Sequence, residues 1–187
     1  VTPNVTPYKK RKVRILNGAH TGFVPGAWLA GFDIVRDCMH DDVVRGFMNT
    51  LLEREVIPTL SAELDEADLR AFAEAVQDRF DNPFIDHQLL SICLNSTSKW
   101  SARDLPTMLD YVEQMGELPR CLTTSLAALI AFYTTGFEGR DADGLHLRRA
   151  DGTAYTAQDD AWVLDFYAER HDTDDAQLVH EVLGCEQ

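Results

Sequence analysis

Lys12, Asn17 and His20 have the residue types and the spacing of a group that could exchange a proton with a substrate oxygen. If the segment is α-helical, at about 100° per residue, Asn17 lies about 140° and His20 about 80° from Lys12, so all three fit on one broad face. An amine can exchange a proton with an alcohol, an amide can donate to its oxygen, and an imidazole can orient either group. The residue types would suit chemistry between an alcohol and a ketone, whereas the spacing alone is more typical of a helix face that only contacts water.

The lysine lies in a basic run within a chain that is otherwise acidic. Five cations fall within six residues, namely Lys9, Lys10, Arg11, Lys12 and Arg14, whereas the formal net charge of the chain is −14. Neighbouring positive charge or burial favours a neutral amine, which proton exchange requires. Three interpretations stay open: a solvated helix face, a nucleic-acid patch, which the acidic remainder of the chain disfavours, and a wall that faces a small anion.

Arg79 and His87 form a second pair of candidate ligands on either side of the helix break at Asn82 and Pro83. The apolar periodicity ends one helix near Arg79 and places His87 in the first turns of the next. The planar guanidinium of arginine can bind a carboxylate with two hydrogen bonds, which makes Arg79 a candidate ligand for an acidic group. The alternative is that Arg79 interacts with the C-terminal end of its own helix.

The sequence around these residues resembles one enzyme family. Residues 5–20 are similar to the catalytic segment of the polyol-specific long-chain dehydrogenases, the mannitol dehydrogenase family, whose signature is a lysine, four residues, an asparagine, two residues and a histidine. Residues 79–92 and 122–133 resemble the uronate-reducing members of that family. The resemblance extends over most of the chain, from about residue 1 to residue 182.

This resemblance implies an NAD-dependent oxidoreductase that interconverts tagaturonate and altronate, with fructuronate, mannonate or mannitol as alternative substrates. It makes Lys12 the general acid/base. Asn17 would hold the carbonyl oxygen, and His20 would orient the lysine or bind a substrate hydroxyl. Arg79 and His87 would bind the sugar-acid carboxylate. The resemblance also implies metal-independent chemistry, and it places the basic run beside either that carboxylate or a cofactor pyrophosphate.

The chain carries no Gly-x-Gly-x-x-Gly after an apolar strand, so it has no recognisable dinucleotide-binding fingerprint. In the family that it resembles, an N-terminal dinucleotide-binding domain precedes a helical substrate domain. We therefore expect residues 1–187 to be a single substrate-binding and catalytic domain excised from a larger two-domain enzyme, with NAD bound mainly by the missing domain. Such a fragment should be inactive alone. The alternative from another class is a non-catalytic helical interaction module.

Helical periodicity dominates the chain and predicts an all-α fold. The family resemblance specifies a multi-helical domain of the 6-phosphogluconate-dehydrogenase-like type, without its Rossmann domain. Gly22 and Pro25 are expected to interrupt the first long helix, and Asp41 or Asp42 to cap a later one. Residues 136–156 are rich in Gly and Asp, which predicts a loop with a short hairpin around Asp151 and Gly152.

The composition is that of an ordinary globular domain, with 45% apolar and 26% charged residues. No apolar run approaches the ~18 to 20 residues that span a bilayer, and the acidic balance argues against nucleic acid. The four cysteines are scattered without metal-ligand spacing. These observations predict a cytoplasmic protein with reduced thiols, no metal site, and no nucleic-acid or membrane partner.

Overall fold

The computed structural model describes residues 5–185, which form a mostly helical domain with one small sheet. The α-helices in this range are α1 (Thr6–Arg11), α2 (Gly18–Leu29), α3 (Val35–His40), α4 (Asp42–Thr50), α5 (Ile57–Leu60), α6 (Glu66–Phe80), α7 (Leu89–Ile92), α8 (Ser96–Arg103), α9 (Leu105–Met115), α10 (Arg120–Thr134), α11 (Ala161–Ala168) and α12 (Asp175–Leu183). The other elements are the π-helices π1 (Lys12–Asn17) and π2 (Leu51–Val56) and the strands β1 (Gly139–Asp141), β2 (Gly144–Arg148) and β3 (Ala154–Ala157).

The sheet corrects the prediction of an all-α fold. Its three strands are antiparallel in the order β1-β2-β3, and the expected hairpin is present because β2 and β3 pair on either side of Asp151 and Gly152. The alternation of buried side chains is short, with Leu145 and Leu147 on β2 and Tyr155 on β3. A strand with so few alternating positions has the same sequence pattern as a loop. The sequence therefore does not predict β1, β2 and β3 as a sheet.

Helix α2 lies at the centre of the domain and packs against α10, α7, α8 and α4. It is apolar on nearly every side, as expected for a helix enclosed by others. The prediction that Gly22 and Pro25 interrupt this helix was wrong. A Cβ at Gly22 would lie 2.7 Å from Cδ2 of Leu51, so this glycine permits close packing instead of ending the helix. Pro25 has no N–H and so removes one backbone hydrogen bond from α2. Packing against the surrounding helices stabilises α2 enough to offset this loss.

Two acidic side chains stabilise helix N-termini in different ways. Asp41 caps α4 as predicted, since its carboxylate accepts hydrogen bonds from the backbone N–H groups of Val43 and Val44. Glu55, on π2, is buried and caps α10 from a distance. Its two carboxylate oxygens accept from the backbone N–H groups of Cys121 and Leu122, at 2.6 and 2.8 Å.

Gly18 is where the end of α8 approaches the start of α2. A Cβ on this residue would lie 2.8 Å from Oδ1 of Asp104, whose side chain is 1% exposed. Burial raises the pKa of the Asp104 carboxyl well above its usual value, which favours the uncharged form. This contact joins the start of α2 to the end of α8, a pairing that the hydrophobic pattern of the sequence does not predict.

Replacing Gly18 by alanine is expected to lower the free energy of unfolding by about 1–3 kcal/mol, because the added methyl group overpacks a buried contact. Urea unfolding of the two proteins measures the difference. Gly46→Ala is the matched control, since Gly46 lies within α4 with nothing within 4 Å of its would-be Cβ. Gly46→Ala should leave the free energy of unfolding unchanged or raise it slightly. An equal increase in this free energy for Gly18→Ala and Gly46→Ala would contradict the packing argument.

None of the helices within residues 5–185 is long and apolar enough to cross a membrane. The four cysteines are all free; Cys38, Cys93 and Cys121 are buried and Cys185 is exposed. Within the same range, no three His, Cys, Asp or Glu residues are grouped so that they could hold a metal ion.

Candidate active site

One cavity of about 510 Å³ contains all five residues that the sequence singled out. Lys12 and Asn17 come from π1, His20 from α2, Arg79 from the last turn of α6, and His87 from the segment that precedes α7. The remaining lining side chains are apolar: Leu16, Val35, Phe80 and Ile85. The cavity thus has a polar group at several points and an apolar surface between them, as small-molecule sites usually have.

The segment from Lys12 to Asn17 is a π-helix instead of the predicted α-helix. The N–H of Gly18 donates to the carbonyl oxygens of Ile15 and Val13, and the second of these bonds spans five residues. In a π-helix, residues five apart in sequence are separated by about one turn. The angle between Asn17 and Lys12 around the helix axis is therefore smaller than the 140° of an α-helix. A short π-helical segment within a longer helix is frequent at functional sites.

The imidazole of His20 is enclosed by aromatic rings. It stacks on Phe80, with ring centroids 3.9 Å apart, and the ring of His87 approaches it edge-on at 5.6 Å. Burial, together with the nearby charges of His87, Arg103 and Arg79, lowers the pKa of His20 to about 3. The ring is therefore neutral near pH 7, and its Nε2 atom is buried without a hydrogen-bond partner in the described part of the chain. Such a nitrogen is suited to bind a ligand hydroxyl or an amine.

Lys12, Arg79 and His87 lie at the open side of the cavity, and all three are exposed. No side chain of residues 5–185 forms an ion pair with any of them, although the chain has a net charge of −14. Among the described contacts Arg79 makes no hydrogen bond to a carbonyl of its own helix, but it lies in the last turn of α6, so a favourable interaction with the C-terminal end of this helix stays an alternative. The side chains of Lys12, Arg79 and His87 therefore remain available to a ligand, and the guanidinium of Arg79 suits an anionic one.

His87 does not lie in a helix, which corrects the prediction for its local structure. Helix α7 begins only at Leu89. The carbonyl oxygen of His87 accepts from the N–H of Val35, and Ile34 and Gln88 form an isolated antiparallel bridge. His87 and Gln88 are thus held by a segment about fifty residues earlier in the chain, a pairing that local periodicity does not encode.

Arg36 fastens the loop between α6 and α7 and was not identified from the sequence. Its guanidinium donates to the carbonyl oxygen of Pro83 at 2.8 Å and forms an ion pair with Asp86 at 2.7 Å. The side chain of Asn82 accepts from the N–H of Phe84 within the same loop. These contacts hold the part of the loop that lines the cavity. Arg36 lies far in sequence from both of its partners, Pro83 and Asp86, so no local sequence pattern could have identified it.

The basic run near the N-terminus does not form one continuous wall. Lys10 pairs with Glu63, Arg11 lies over the ring of Phe72, and Arg14 is buried against α9. Of the five cations in the run, only Lys12 lines the cavity. Lys12 is therefore the cation of this run that could meet an anion in this cavity, whereas a role of the run toward a cofactor pyrophosphate stays a prediction.

The described residues lack the strand-to-helix arrangement at which Rossmann-type domains bind dinucleotide cofactors. Such cofactors bind where a parallel strand turns into a helix N-terminus, whereas the sheet in residues 5–185 is antiparallel and connected by hairpins. The cavity itself suits a smaller polar molecule, and its open side leaves it accessible from outside the domain.

Comparisons with known proteins identify curated relatives of this chain. The chain is 48% identical over 168 residues to an altronate oxidoreductase of Pectobacterium atrosepticum, which is 90% of this chain and 32% of that protein. It is 43% identical over 190 residues to an altronate oxidoreductase of Yersinia enterocolitica, covering 98% of this chain and 36% of the relative. The chain thus spans about a third of the length of the curated relatives that it matches.

A solved structure shares the fold along nearly the whole chain. The ternary complex of Pseudomonas fluorescens mannitol 2-dehydrogenase with NAD and D-mannitol superposes with a TM-score of 0.83 at 25% identity, over 99% of this chain and 34% of that chain. The family model described as the mannitol dehydrogenase C-terminal domain matches residues 4–182. A match that covers this much of the sequence shows that the chain belongs to the mannitol dehydrogenase family, within its C-terminal domain.

Proposed function

We propose that this chain is the substrate-binding and proton-transfer domain of an NAD-dependent oxidoreductase that interconverts tagaturonate and altronate. The observation that carries the proposal is the convergence of Lys12, Asn17 and His20 with the unpaired Arg79 and His87 in one cavity. Similarity to altronate oxidoreductases supports the choice of substrate. We place this activity in the cytoplasm, where the free cysteines would stay reduced.

Lys12 is the residue that exchanges the proton in this proposal. In ketone reduction its Nζ donates a proton to the oxygen that becomes the hydroxyl, and in alcohol oxidation it removes that proton. The side-chain amide of Asn17 donates a hydrogen bond to the same oxygen, which stabilises the negative charge that develops there. The neutral His20 orients the amine or binds a neighbouring hydroxyl through its free Nε2. NAD, held mainly by a separate domain, supplies or accepts the hydride when bound.

The acid group of the substrate would be bound at the open side of the cavity. Arg79 can present two N–H donors to a carboxylate, and His87 can add a third contact. A neutral polyol would leave the guanidinium without a counterion, so the arrangement favours a uronate. Fructuronate is the near alternative, because it carries the same carboxylate and differs only at its sugar centres.

The test uses this chain joined to a nucleotide-binding domain. That protein is either the full-length product of the gene or a chimera in which the chain replaces the matching third of the Pectobacterium altronate oxidoreductase. Turnover with NADH is compared for tagaturonate, fructuronate and fructose. We expect tagaturonate to give the highest kcat/KM. A preference for fructose would contradict the uronate assignment, and no turnover with any ketone would favour a non-catalytic module.

Arg79→Ala should raise the KM for tagaturonate by about 10- to 100-fold, the usual effect of losing hydrogen bonds to a charged group. It should leave the KM for fructose nearly unchanged, because fructose has no carboxylate. Arg70→Ala is the matched control, since Arg70 is on the same helix but pairs with Glu66 and does not line the cavity. An equal rise in KM for both substrates would show that Arg79 does not recognise the acid group.

A further inference from the structure

Three residues form a hydrogen-bonded connection between α8 and the end of π1. A guanidinium nitrogen of Arg103 donates to Oγ1 of Thr21 at 3.1 Å, and the Thr21 hydroxyl donates to the backbone carbonyl oxygen of Asn17 at 3.0 Å. Thr21, the middle residue of the connection, is 4% exposed, whereas Arg103 and Asn17 are half-buried. Arg103 itself does not line the cavity.

The direction of each hydrogen bond matters. A threonine hydroxyl has a single proton, which can rotate among several acceptors. Because Arg103 is a donor only, it occupies a lone pair of Oγ1 and leaves the Thr21 proton to the Asn17 carbonyl. A threonine in a helix often bonds to the carbonyl four residues earlier without such help. The contribution of Arg103 is therefore to fix that bond and to connect it to a second helix.

The location of this bond is the junction where π1 becomes α2. Asn17 is the last residue of π1, and its side chain faces the cavity. One residue further on, Gly18 is in close contact with Asp104, the neighbour of Arg103. The end of α8 thus contacts this junction at two residues: Asp104 packs against Gly18, and Arg103 donates a hydrogen bond to Thr21.

We propose that Arg103 is a positioning residue for the candidate site, which acts through Thr21 to hold the Asn17 carbonyl and thereby the direction of the Asn17 amide. This inference rests on the proposed function for its kinetic consequences, but the positioning itself is a property of this chain. Without the connection, the π-to-α junction can relax, and the amide loses its alignment with the substrate oxygen. A misplacement of about 1 Å in such a group can reduce turnover by about 10²-fold.

Arg103 also contributes charge near His20. The charged or titratable groups that face this imidazole are Arg79 on α6, His87 in the following loop, and Arg103 on α8, and each lowers its pKa after the larger effect of burial. Removing the charge of Arg103 should therefore raise the pKa of His20 to some extent. The low starting value leaves the ring neutral near pH 7 in either case, so a loss of turnover at that pH would come from positioning.

The first experiment measures positioning in the 187-residue chain alone, without substrate or cofactor. The side-chain amide of Asn17 is observed by ¹⁵N–¹H NMR at pH 7 in Arg103→Gln, Thr21→Val and Thr21→Ser. The amide signal should shift or broaden in Arg103→Gln and Thr21→Val, and it should return to its original position in Thr21→Ser, which retains the hydroxyl. Arg70→Gln serves as the control for loss of a remote guanidinium. An unchanged Asn17 signal in both Arg103→Gln and Thr21→Val would overturn the proposal.

The second experiment separates kcat from KM in the joined protein of the turnover test. Arg103→Gln and Thr21→Val should each lower kcat by about 10-fold or more while the KM for tagaturonate changes little. The double variant should be no worse than either single variant, because both remove one connection. Additive losses, or a rise in KM confined to carboxylate substrates, would overturn the proposal and make Arg103 a separate group or a ligand. Since the NMR result does not depend on turnover, failure of the proposed function would not be mistaken for failure of this inference.

Discussion

Replacing Lys12 by alanine is expected to lower kcat by about 10²-fold or more, the usual scale for a group that transfers a proton in the rate-limiting step. The physical reason is that Lys12 is the one lysine that lines the cavity within the described residues, so its loss removes the amine that this proposal assigns to proton exchange with the substrate oxygen. Steady-state turnover of tagaturonate with NADH, measured in the joined protein, gives the value. Turnover close to that of the unmodified protein would refute the role of Lys12.

Two further variants separate the proton from the charge. Lys12→Arg keeps a positive group but cannot release a proton near neutral pH, so its kcat should fall about as far as in Lys12→Ala. Lys9→Ala removes an exposed lysine of the same basic run that does not line the cavity, and it should leave kcat unchanged. Full activity in Lys12→Arg would show that the site needs only positive charge at this position.

Replacing Glu55 by alanine is expected to lower the free energy of unfolding by about 3 kcal/mol. The change removes the acceptor for two buried backbone N–H groups, those of Cys121 and Leu122, and leaves both without a partner. It also removes negative charge from the N-terminus of α10, where the helix dipole favours it. Urea unfolding of the 187-residue chain, followed by circular dichroism, provides the measurement.

The controls for this prediction lie on the same π-helix. Glu55→Gln retains one carbonyl oxygen and should show an intermediate loss, because an amide can accept from only one of the two N–H groups without placing a donor against the other. Glu53→Ala removes an exposed carboxylate and should change the stability by less than about 0.5 kcal/mol. If Glu55→Ala and Glu53→Ala behave alike, Glu55 is not the cap of α10.

The membership of the cavity could be predicted mainly because the sequence resembles a known family, since the spacing of the residues alone is also typical of a helix face that contacts water. Lys12, Asn17 and His20 are close together in the chain, and Arg79 and His87 flank a recognisable helix break. The structure brings all five to one cavity. Their chemical roles stay predictions until the variants are measured.

The local geometry of the site could not be predicted in the same way. A π-helix has no hydrophobic period that separates π1 from an α-helix over six residues. The partners that hold the site are far apart in sequence: Arg103 lies 82 residues from Thr21, and Arg36 lies 47 residues from Pro83. Such pairs depend on how the helices pack against one another, and this packing cannot be deduced from local patterns in a single sequence.

The last turn of α6 supplies two consecutive residues to the cavity, Arg79 and Phe80. Phe80 supports the ring of His20, and Arg79 is the group that we expect to bind the acid end of the substrate. Their backbone positions are joined by a single peptide bond, so any displacement of this helix end moves both together. The distance between a bound carboxylate and the imidazole therefore depends on where this one helix end lies, so the placement of α6 would influence which carbon-chain length of sugar acid the site accepts.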